Sequence, residues 1–162
     1  MNPNDLTKRD KEHMISIFLL NGQEDPVGPS ELATNMEVSR AGALQKMKRL
    51  EELGVGDYIP EKGLKLNQEG VSIVEEDIFR HHVIEQFFQE TLGLEFEEAC
   101  KEAEKLGGEM SERMVELMKE NCEDDMRCKC GSCLDPPYEP SDLDGCHWLR
   151  KKYSIFDEKE AV

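Results

Sequence analysis

The sequence predicts a mainly α-helical chain that carries one short β-hairpin and a cysteine-rich end. The helices follow from apolar residues that recur every three or four positions along most of the 162 residues. The hairpin follows from apolar residues on either side of Pro60-Glu61-Lys62-Gly63, a turn-forming sequence. The cysteine-rich end follows from the six cysteines, five of which come after residue 120.

Three helices are predicted before the hairpin, each with a recognisable beginning. Thr7 and Asp10 have the spacing of a capping box, in which each side chain accepts a hydrogen bond from the other residue's backbone N–H. Pro29 lies where a second helix would begin, at the helical position that accepts proline most readily. Ser39 caps a third helix, whose apolar face continues until Gly54 ends it.

Three further helices are predicted after the hairpin. Asn67 caps the fourth helix, which keeps one apolar side until about Thr91. The fifth helix ends at Gly107-Gly108 and the sixth near Asn121. Beyond Asn121 the chain is rich in cysteine and then in proline, which is typical of loops.

The order of two short helices, a tight turn and a hairpin is typical of a winged helix–turn–helix, whose second helix enters the major groove of DNA. Gln45 would contact a base edge, whereas Lys46 and Arg49 suit phosphate contacts. The residues expected at double-stranded DNA are Ser39, Arg40, Gln45, Lys46, Arg49 and, at the hairpin tip, Lys62. The alternative is a solvated basic face on an ordinary helical domain.

The charge of the chain limits its partners. A net charge of −16 repels nucleic acid and anionic membranes on average, so any DNA contact must come from a local basic patch. Most of the excess acid lies after residue 70, which leaves the N-terminal half near neutral. Because we find neither a membrane-span pattern nor a signal-peptide pattern, we expect a cytoplasmic protein without a membrane partner.

Two pairs of potential metal ligands are spaced four residues apart on consecutive predicted helices. His81 and Glu85 lie one turn apart on the fourth helix, and Cys100 and Glu104 lie one turn apart on the fifth. Such pairs on neighbouring helices can converge on one cation. The alternatives are a surface ion pair for His81 and Glu85 and a core position for Cys100.

These pairs belong to a longer stretch that resembles a known family. Residues 80–88 read RHHVIEQFF, residues 92–94 read LGL and residues 97–103 read EEACKEA, and together they resemble the DtxR/MntR family of metal-dependent repressors. The preceding winged helix, with its exit LNQEG at residues 66–70, fits the same family, so the resemblance covers about residues 7–120. It implies a homodimeric regulator in which a divalent metal, Fe(II) or Mn(II), sets the spacing of two recognition helices on operator DNA.

The resemblance implies one nearly complete metal site. His81 and Glu85 look like two ligands of the family's ancillary site, and Cys100 falls where that site usually has a second His. A thiolate in place of that imidazole favours iron, zinc or cobalt over manganese.

The family's primary site is incomplete in this chain. Glu12 and Glu104 fall where that site draws ligands from the first and fifth helices. Gly107-Gly108 stands where the family usually has an acidic residue and a His, and glycine has no side chain to bind metal. Either the ancillary-type site alone senses metal, or another group such as Glu109 completes the primary site.

With the family's organisation, the chain divides into three predicted parts. Residues 1–70 form the winged helix–turn–helix, residues 71–121 form the helical dimerisation and metal-sensing domain, and residues 122–162 form a Cys-rich metal-binding tail. By this resemblance, we expect the tail to stand in the place of the SH3-like C-terminal domain of longer family members.

The tail has enough thiols for a tetrahedral zinc site or an iron–sulfur cluster, although its spacing matches neither a zinc ribbon nor a common ferredoxin. The alternative is a set of unligated or regulatory thiols. The predicted ligands are Cys122, Cys128, Cys130 and Cys133, with Cys146 or His147 as a substitute.

The sequence therefore predicts a metal-dependent, iron-responsive transcriptional regulator that binds operator DNA as a homodimer. One alternative is a redox or iron–sulfur sensor of the same fold, in which the tail carries the signal. Another is an acidic metal-binding or protein-interaction module without operator binding. No catalytic residues are predicted, because no cysteine has the His-plus-acid arrangement that activates a nucleophile.

Overall fold

The computed structural model describes residues 2–123 and 135–153. The predicted mainly α-helical fold with a two-stranded wing is confirmed. Its helices are α1 (Lys8–Leu19), α2 (Pro29–Met36), α3 (Arg40–Glu52), α4 (Gln68–Leu92), α5 (Phe96–Leu106), α6 (Glu112–Glu120) and α7 (His147–Lys152), and its strands are β1 (Gly56–Ile59) and β2 (Gly63–Leu66). Short 3-10 turns cover Pro3–Asp5 and Pro140–Leu143.

The chain divides into two compact units, between Val74 and Glu75 and again between Leu149 and Arg150. The first unit holds the described residues up to Val74 together with Arg150 to Tyr153, and the second holds the described residues from Glu75 to Leu149. The predicted division at residues 70 and 121 stays a prediction. In the structure, the described residues after 134 are divided between the two units, and Leu143 and Leu149 are buried in the second.

The helices of the first unit begin at residues that the sequence specifies through local rules. The Thr7 hydroxyl accepts from the Asp10 N–H and the Asp10 carboxylate accepts from the Thr7 N–H, so the predicted capping box is confirmed. Pro29 is the first residue of α2, and the Ser39 hydroxyl accepts from the Gly42 N–H at the start of α3. The two short helices and their tight turn therefore follow from sequence-local rules.

The core of the first unit is the apolar side of α1 packed against α2, α3 and the hairpin. Met14, Ile17 and Phe18 of α1 are fully buried, as are Met47 and Leu50 of α3. These side chains hold α3 against the rest of the unit.

The segment before α2 pairs with the hairpin, a contact that the sequence did not predict. Val27 and Leu64 form an isolated antiparallel bridge, with N–O distances of 2.9 and 3.0 Å. At Gly63, where φ is +125°, a Cβ atom would lie 1.9 Å from the Val27 carbonyl oxygen. Glycine is therefore required there, both for the backbone conformation and for the close approach of the segment before α2.

The second unit packs part of α4 against α5 and α6. Its core consists of Val83, Ile84, Phe88, Ala99, Ala103, Val115 and Met118. The sequence predicts a loop after α6, but the described residues from 135 onward include a 3-10 turn and the start of α7. Tyr138, Leu143, Trp148 and Leu149 are buried there, so apolar packing orders this stretch in addition to any metal.

Within residues 2–123 and 135–153, no helix has the length and apolar character needed to cross a membrane.

Candidate functional site

The second unit brings His81 and Glu85 of α4 together with Cys100 of α5. One ligand atom from each residue lies within 4.8 Å of the others. The Nε2 atom of His81 is 3.1 Å from Glu85 Oε2 and 3.7 Å from Cys100 Sγ. All three residues are buried, with exposed fractions of 3%, 1% and 8%. The four-residue spacing on α4 sets the first pair, and Cys100 faces it from the buried side of α5.

The chemistry of these donors fits a divalent metal. A buried carboxylate beside an imidazole and a thiol is costly unless a cation or a proton compensates it. An imidazole nitrogen, a carboxylate oxygen and a thiolate sulfur form a mixed set that suits borderline metals such as Fe(II), Co(II) and Zn(II). The three atoms converge on one point, as ligands of a single ion do. We name His81, Glu85 and Cys100 the helical site.

An aromatic ring that sequence reasoning missed orients the helical site. The indole of Trp148 stacks on the imidazole of His81, with a centroid separation of 3.7 Å and an interplanar angle of 6°. This stacking fixes the plane of the histidine and covers one of its faces. The only available signal in the sequence was the apolar pair Trp148-Leu149 near the end of the chain.

Cys146 and His147, predicted as substitute tail ligands, have partners within the second unit. Cys146 Sγ lies 3.5 Å from His82 Nε2, while His82 Nδ1 lies 2.8 Å from the Ile78 carbonyl oxygen. His147 packs edge-on against Phe96, with ring centroids 5.3 Å apart. Their role as tail ligands stays a prediction.

Cys122 is half-buried near the end of α6. Burial raises the pKa of its thiol to about 11, and the nearby carboxylate of Glu90 adds to the shift. In the absence of a cation this thiol therefore stays protonated. Cys128, Cys130 and Cys133, the other predicted tail ligands, lie outside the described residues.

Glu104 and Glu12, predicted for a second metal site, do not belong to a group of three close donors among residues 2–123 and 135–153. Glu104 is half-buried on α5. Glu12 lies on α1, where Arg9 and Lys152 approach its carboxylate to 2.9 and 3.1 Å. Burial would raise the pKa of Glu12, but these two cations lower it and keep the group ionised.

Gly107 lies where the predicted primary site lacks a ligand, and in the structure its carbonyl oxygen accepts a hydrogen bond. Arg80 donates a hydrogen bond to its carbonyl oxygen at 3.1 Å and another to the carbonyl oxygen of Met110. The guanidinium thus satisfies backbone carbonyls that would otherwise lack partners where α5 ends.

The exposed side of α3 is the candidate nucleic-acid surface. Ala41, Gln45 and Lys48 are spaced by four and three residues and are all exposed, so they form one stripe. Lys48 was not among the predicted contacts, although its spacing from Gln45 identifies it. Lys62 is exposed in the hairpin turn. Arg40 is exposed and donates a hydrogen bond from Nε to the Ser30 hydroxyl at 3.1 Å.

Lys46 and Arg49, predicted as phosphate contacts, hold a buried carboxylate. Lys46 Nζ lies 2.6 Å from Asp10 Oδ1, and Arg49 Nη2 lies 3.1 Å from Asp10 Oδ2. Burial of Asp10 would raise its pKa, but the hydrogen bonds from Arg49, Lys46 and Thr7 hold the pKa well below its usual range. These two cations therefore anchor α3 to α1, and their contact with DNA stays a prediction.

Comparisons with known proteins point to one family. A family model described as "Iron dependent repressor, metal binding and dimerisation domain" matches residues 67–133. An uncharacterised HTH-type transcriptional regulator from Methanocaldococcus jannaschii is 30% identical over 110 residues, which is 67% of this chain and 88% of that protein. The chain belongs to the DtxR/MntR family of metal-dependent transcriptional regulators. Members of this family are regulators and not enzymes.

Other relatives cover different shares of this DtxR/MntR-family chain. The transcriptional regulator MntR of Escherichia coli O6:H1 is 29% identical over 89 residues, which is 55% of this chain and 57% of that protein. A hypothetical protein from Sulfolobus solfataricus has a solved structure with a TM-score of 0.69, 19% identity, and coverage of 82% of this chain and all of that one. This last likeness supports the fold alone.

Proposed function

We propose that this family member is an Fe(II)-responsive regulator that binds operator DNA as a homodimer, and that the helical site is its metal sensor. The observation that carries the proposal is the convergence of His81, Glu85 and Cys100 in a buried position of the unit matched by the metal-binding family model. Metal would neutralise the buried carboxylate and hold α4 and α5 in one arrangement.

Fe(II) is proposed over Mn(II) because of the thiol. Manganese prefers carboxylate, carbonyl and water oxygens, whereas a thiolate and an imidazole favour softer ions. Cys100 supplies that soft donor, and it is buried beside His81. The choice among Fe(II), Co(II) and Zn(II) then depends on which metal the cell supplies.

The homodimer is proposed on two grounds. The matched family model includes dimerisation in its description. Large apolar side chains are also exposed on the second unit, at Leu92, Leu106 and Met114. A dimer interface on this unit would cover such side chains and remove them from water.

In-vitro selection from random duplex DNA tests this function. With Fe(II) under anaerobic conditions, we expect enrichment of an inverted repeat, because a two-fold dimer presents two copies of α3. Addition of a chelator should lower affinity for the selected sequence by at least about tenfold, which corresponds to about 1.4 kcal/mol. A metal-loaded protein that enriches no sequence would contradict the proposal and favour an interaction module.

The exposed stripe on α3 predicts which substitutions change DNA binding. Gln45→Ala should alter the preference at one base position at a cost of about 1–3 kcal/mol, because a Gln side chain reads adenine in the major groove. Lys48→Ala should weaken binding to all sequences and reduce the slope of log affinity against log salt by about 1. Gln68→Ala, an exposed position at the start of α4, is the matched control and should bind as the parent does.

A further inference from the structure

The first unit contains a basic cleft beside its helix–turn–helix. The cavity measures about 590 Å³ and lies against α1, the end of α2 and the segment from Arg150 to Tyr153. Four of its lining side chains are cations, namely Arg9, Arg150, Lys151 and Lys152, against one carboxylate, Glu37. All of these residues belong to the first unit. In a chain with a net charge of −16, such a local excess of positive charge is unusual.

The C-terminal side of the basic cleft is held by packing and hydrogen bonds. Tyr153 is buried, and its hydroxyl donates to the Glu12 carbonyl oxygen at 3.2 Å. Lys152 Nζ lies 3.1 Å from the Glu12 carboxylate, which Arg9 also contacts at 2.9 Å. Glu12 therefore fixes two of the four cations, while Lys151, which also lines the cleft, is exposed. Arg9 and Lys152 are therefore preorganised, and Lys151 is the exposed cation of the cleft.

The basic cleft flanks the recognition helix. Met36 and Glu37, which line it, directly precede the turn that Ser39 caps at the start of α3. On the α1 side, Arg9 lines the cleft, and the next residue, Asp10, is bonded to Lys46 of α3. A duplex that meets α3 therefore brings its sugar–phosphate backbone close to this part of the unit.

We propose that the basic cleft binds the phosphate backbone of the duplex whose major groove receives α3. This inference rests on the proposed DNA-binding function and names an additional contact for it. An acidic protein approaches DNA only where local cations release counterions from the phosphates. The segment from Arg150 to Lys152 supplies three such cations to the first unit, next to the helix–turn–helix.

Lys151 is the position for the test, because it is exposed and does not hold the segment in place. The metal-loaded full-length chain is titrated against labelled duplex at several salt concentrations from about 50 to 200 mM. We expect Lys151→Ala to reduce the slope of log affinity against log salt by about 1 and Lys151→Glu to reduce it further. The losses should be alike for selected and random duplexes, because phosphate contacts carry no sequence information.

Lys105 on α5, an exposed lysine in the second unit, provides the matched control. Lys105→Ala and Lys105→Glu change the net charge by the same amounts as the corresponding Lys151 variants, and they should leave the slope unchanged. Equal effects at Lys105 and Lys151 would mean that only overall charge matters and would overturn the inference. An unaltered slope for both Lys151 variants would also overturn the inference. Binding of inorganic phosphate to the cleft would not rescue it, because the inference concerns the phosphates of the duplex.

The test separates this inference from the proposed function. If the parent protein prefers no sequence, the operator-binding proposal fails, but random duplex at low salt still reports whether Lys151 contacts phosphate. If the parent selects an operator and Lys151 has no effect, the function stands and the basic cleft is not part of the interface.

Discussion

Glu85→Gln is expected to lower the affinity of the helical site for Fe(II) and Co(II) by at least about 100-fold, because loss of a ligand should cost no less than the roughly 10–100-fold lost when an outer-shell partner of a ligand is removed. The amide keeps the shape of the side chain but removes the negative charge that lies 3.1 Å from His81 Nε2. If the site is the sensor, the metal-dependent rise in operator affinity disappears with it. Titration of Fe(II) or Co(II) by calorimetry, followed by operator binding with and without metal, measures both effects.

The metal-free variant provides an internal check on folding. Because glutamine keeps the shape of the Glu85 side chain and can still hydrogen-bond the imidazole of His81, the free energy of unfolding of the metal-free protein should change little. Metal at about 100 times its dissociation constant should stabilise the parent by about 2.7 kcal/mol and the variant much less. Glu97→Gln, an exposed change on α5, should behave as the parent does. Undiminished metal affinity in Glu85→Gln would exclude Glu85 as a ligand.

Asp10→Ala is expected to lower the free energy of unfolding by about 3 kcal/mol. The substitution removes the carboxylate between Lys46 and Arg49, which leaves two partly buried cations without their partner. It also removes half of the capping box of α1, because the Asp10 side chain accepts from the Thr7 N–H at 2.9 Å. Urea denaturation followed by far-ultraviolet circular dichroism measures the loss. Asp57→Ala, at an exposed position of β1, should change the free energy of unfolding by less than about 0.5 kcal/mol.

The same pair of proteins gives a pH dependence with a defined sign. The pKa of Asp10 is lower in the folded state than its usual value of 3.8, so the folded state binds its proton less readily than the unfolded state does. The contribution of Asp10 is therefore complete above that usual value and is lost as the pH falls towards the folded-state pKa. We expect the difference between parent and Asp10→Ala to be constant from about pH 5 upward and to shrink below about pH 4. A difference that grows on acidification would contradict this assignment.

Local rules account for the elements that the sequence predicted. The capping box at Thr7, the proline that begins α2 and the glycine that ends the fifth helix each depend on residues within one or two turns. The pairing of His81 with Glu85 is equally local, since one helical turn separates them. The spacing of Cys100 and Glu104 on the next helix only allowed them to meet this pair, and the resemblance to a family favoured Cys100, because no local rule sets the packing of α5 against α4.

Contacts between distant parts of the chain were not predictable in this way. Nothing in the spacing of Asp10 and Arg49 reveals that one is buried and the other reaches it across the unit. The stacking of Trp148 on His81 likewise depends on how the chain returns after α6. Lys46 of α3 is an example. The helical pattern predicts that its side chain points away from the apolar face, but it does not predict the contact with the carboxylate of Asp10.

The absorption spectrum of Co(II) bound to the chain most directly tests whether His81, Glu85 and Cys100 form one metal site. The protein for this measurement has Cys122, Cys128, Cys130 and Cys133 changed to Ser, so that the tail contributes no thiolate. We predict a sulfur-to-cobalt charge-transfer band that Cys100→Ser abolishes, that His81→Ala and Glu85→Gln weaken, and that Cys146→Ser leaves in place. A spectrum indifferent to Cys100, or a band that depends on Cys146 instead, would contradict the helical site.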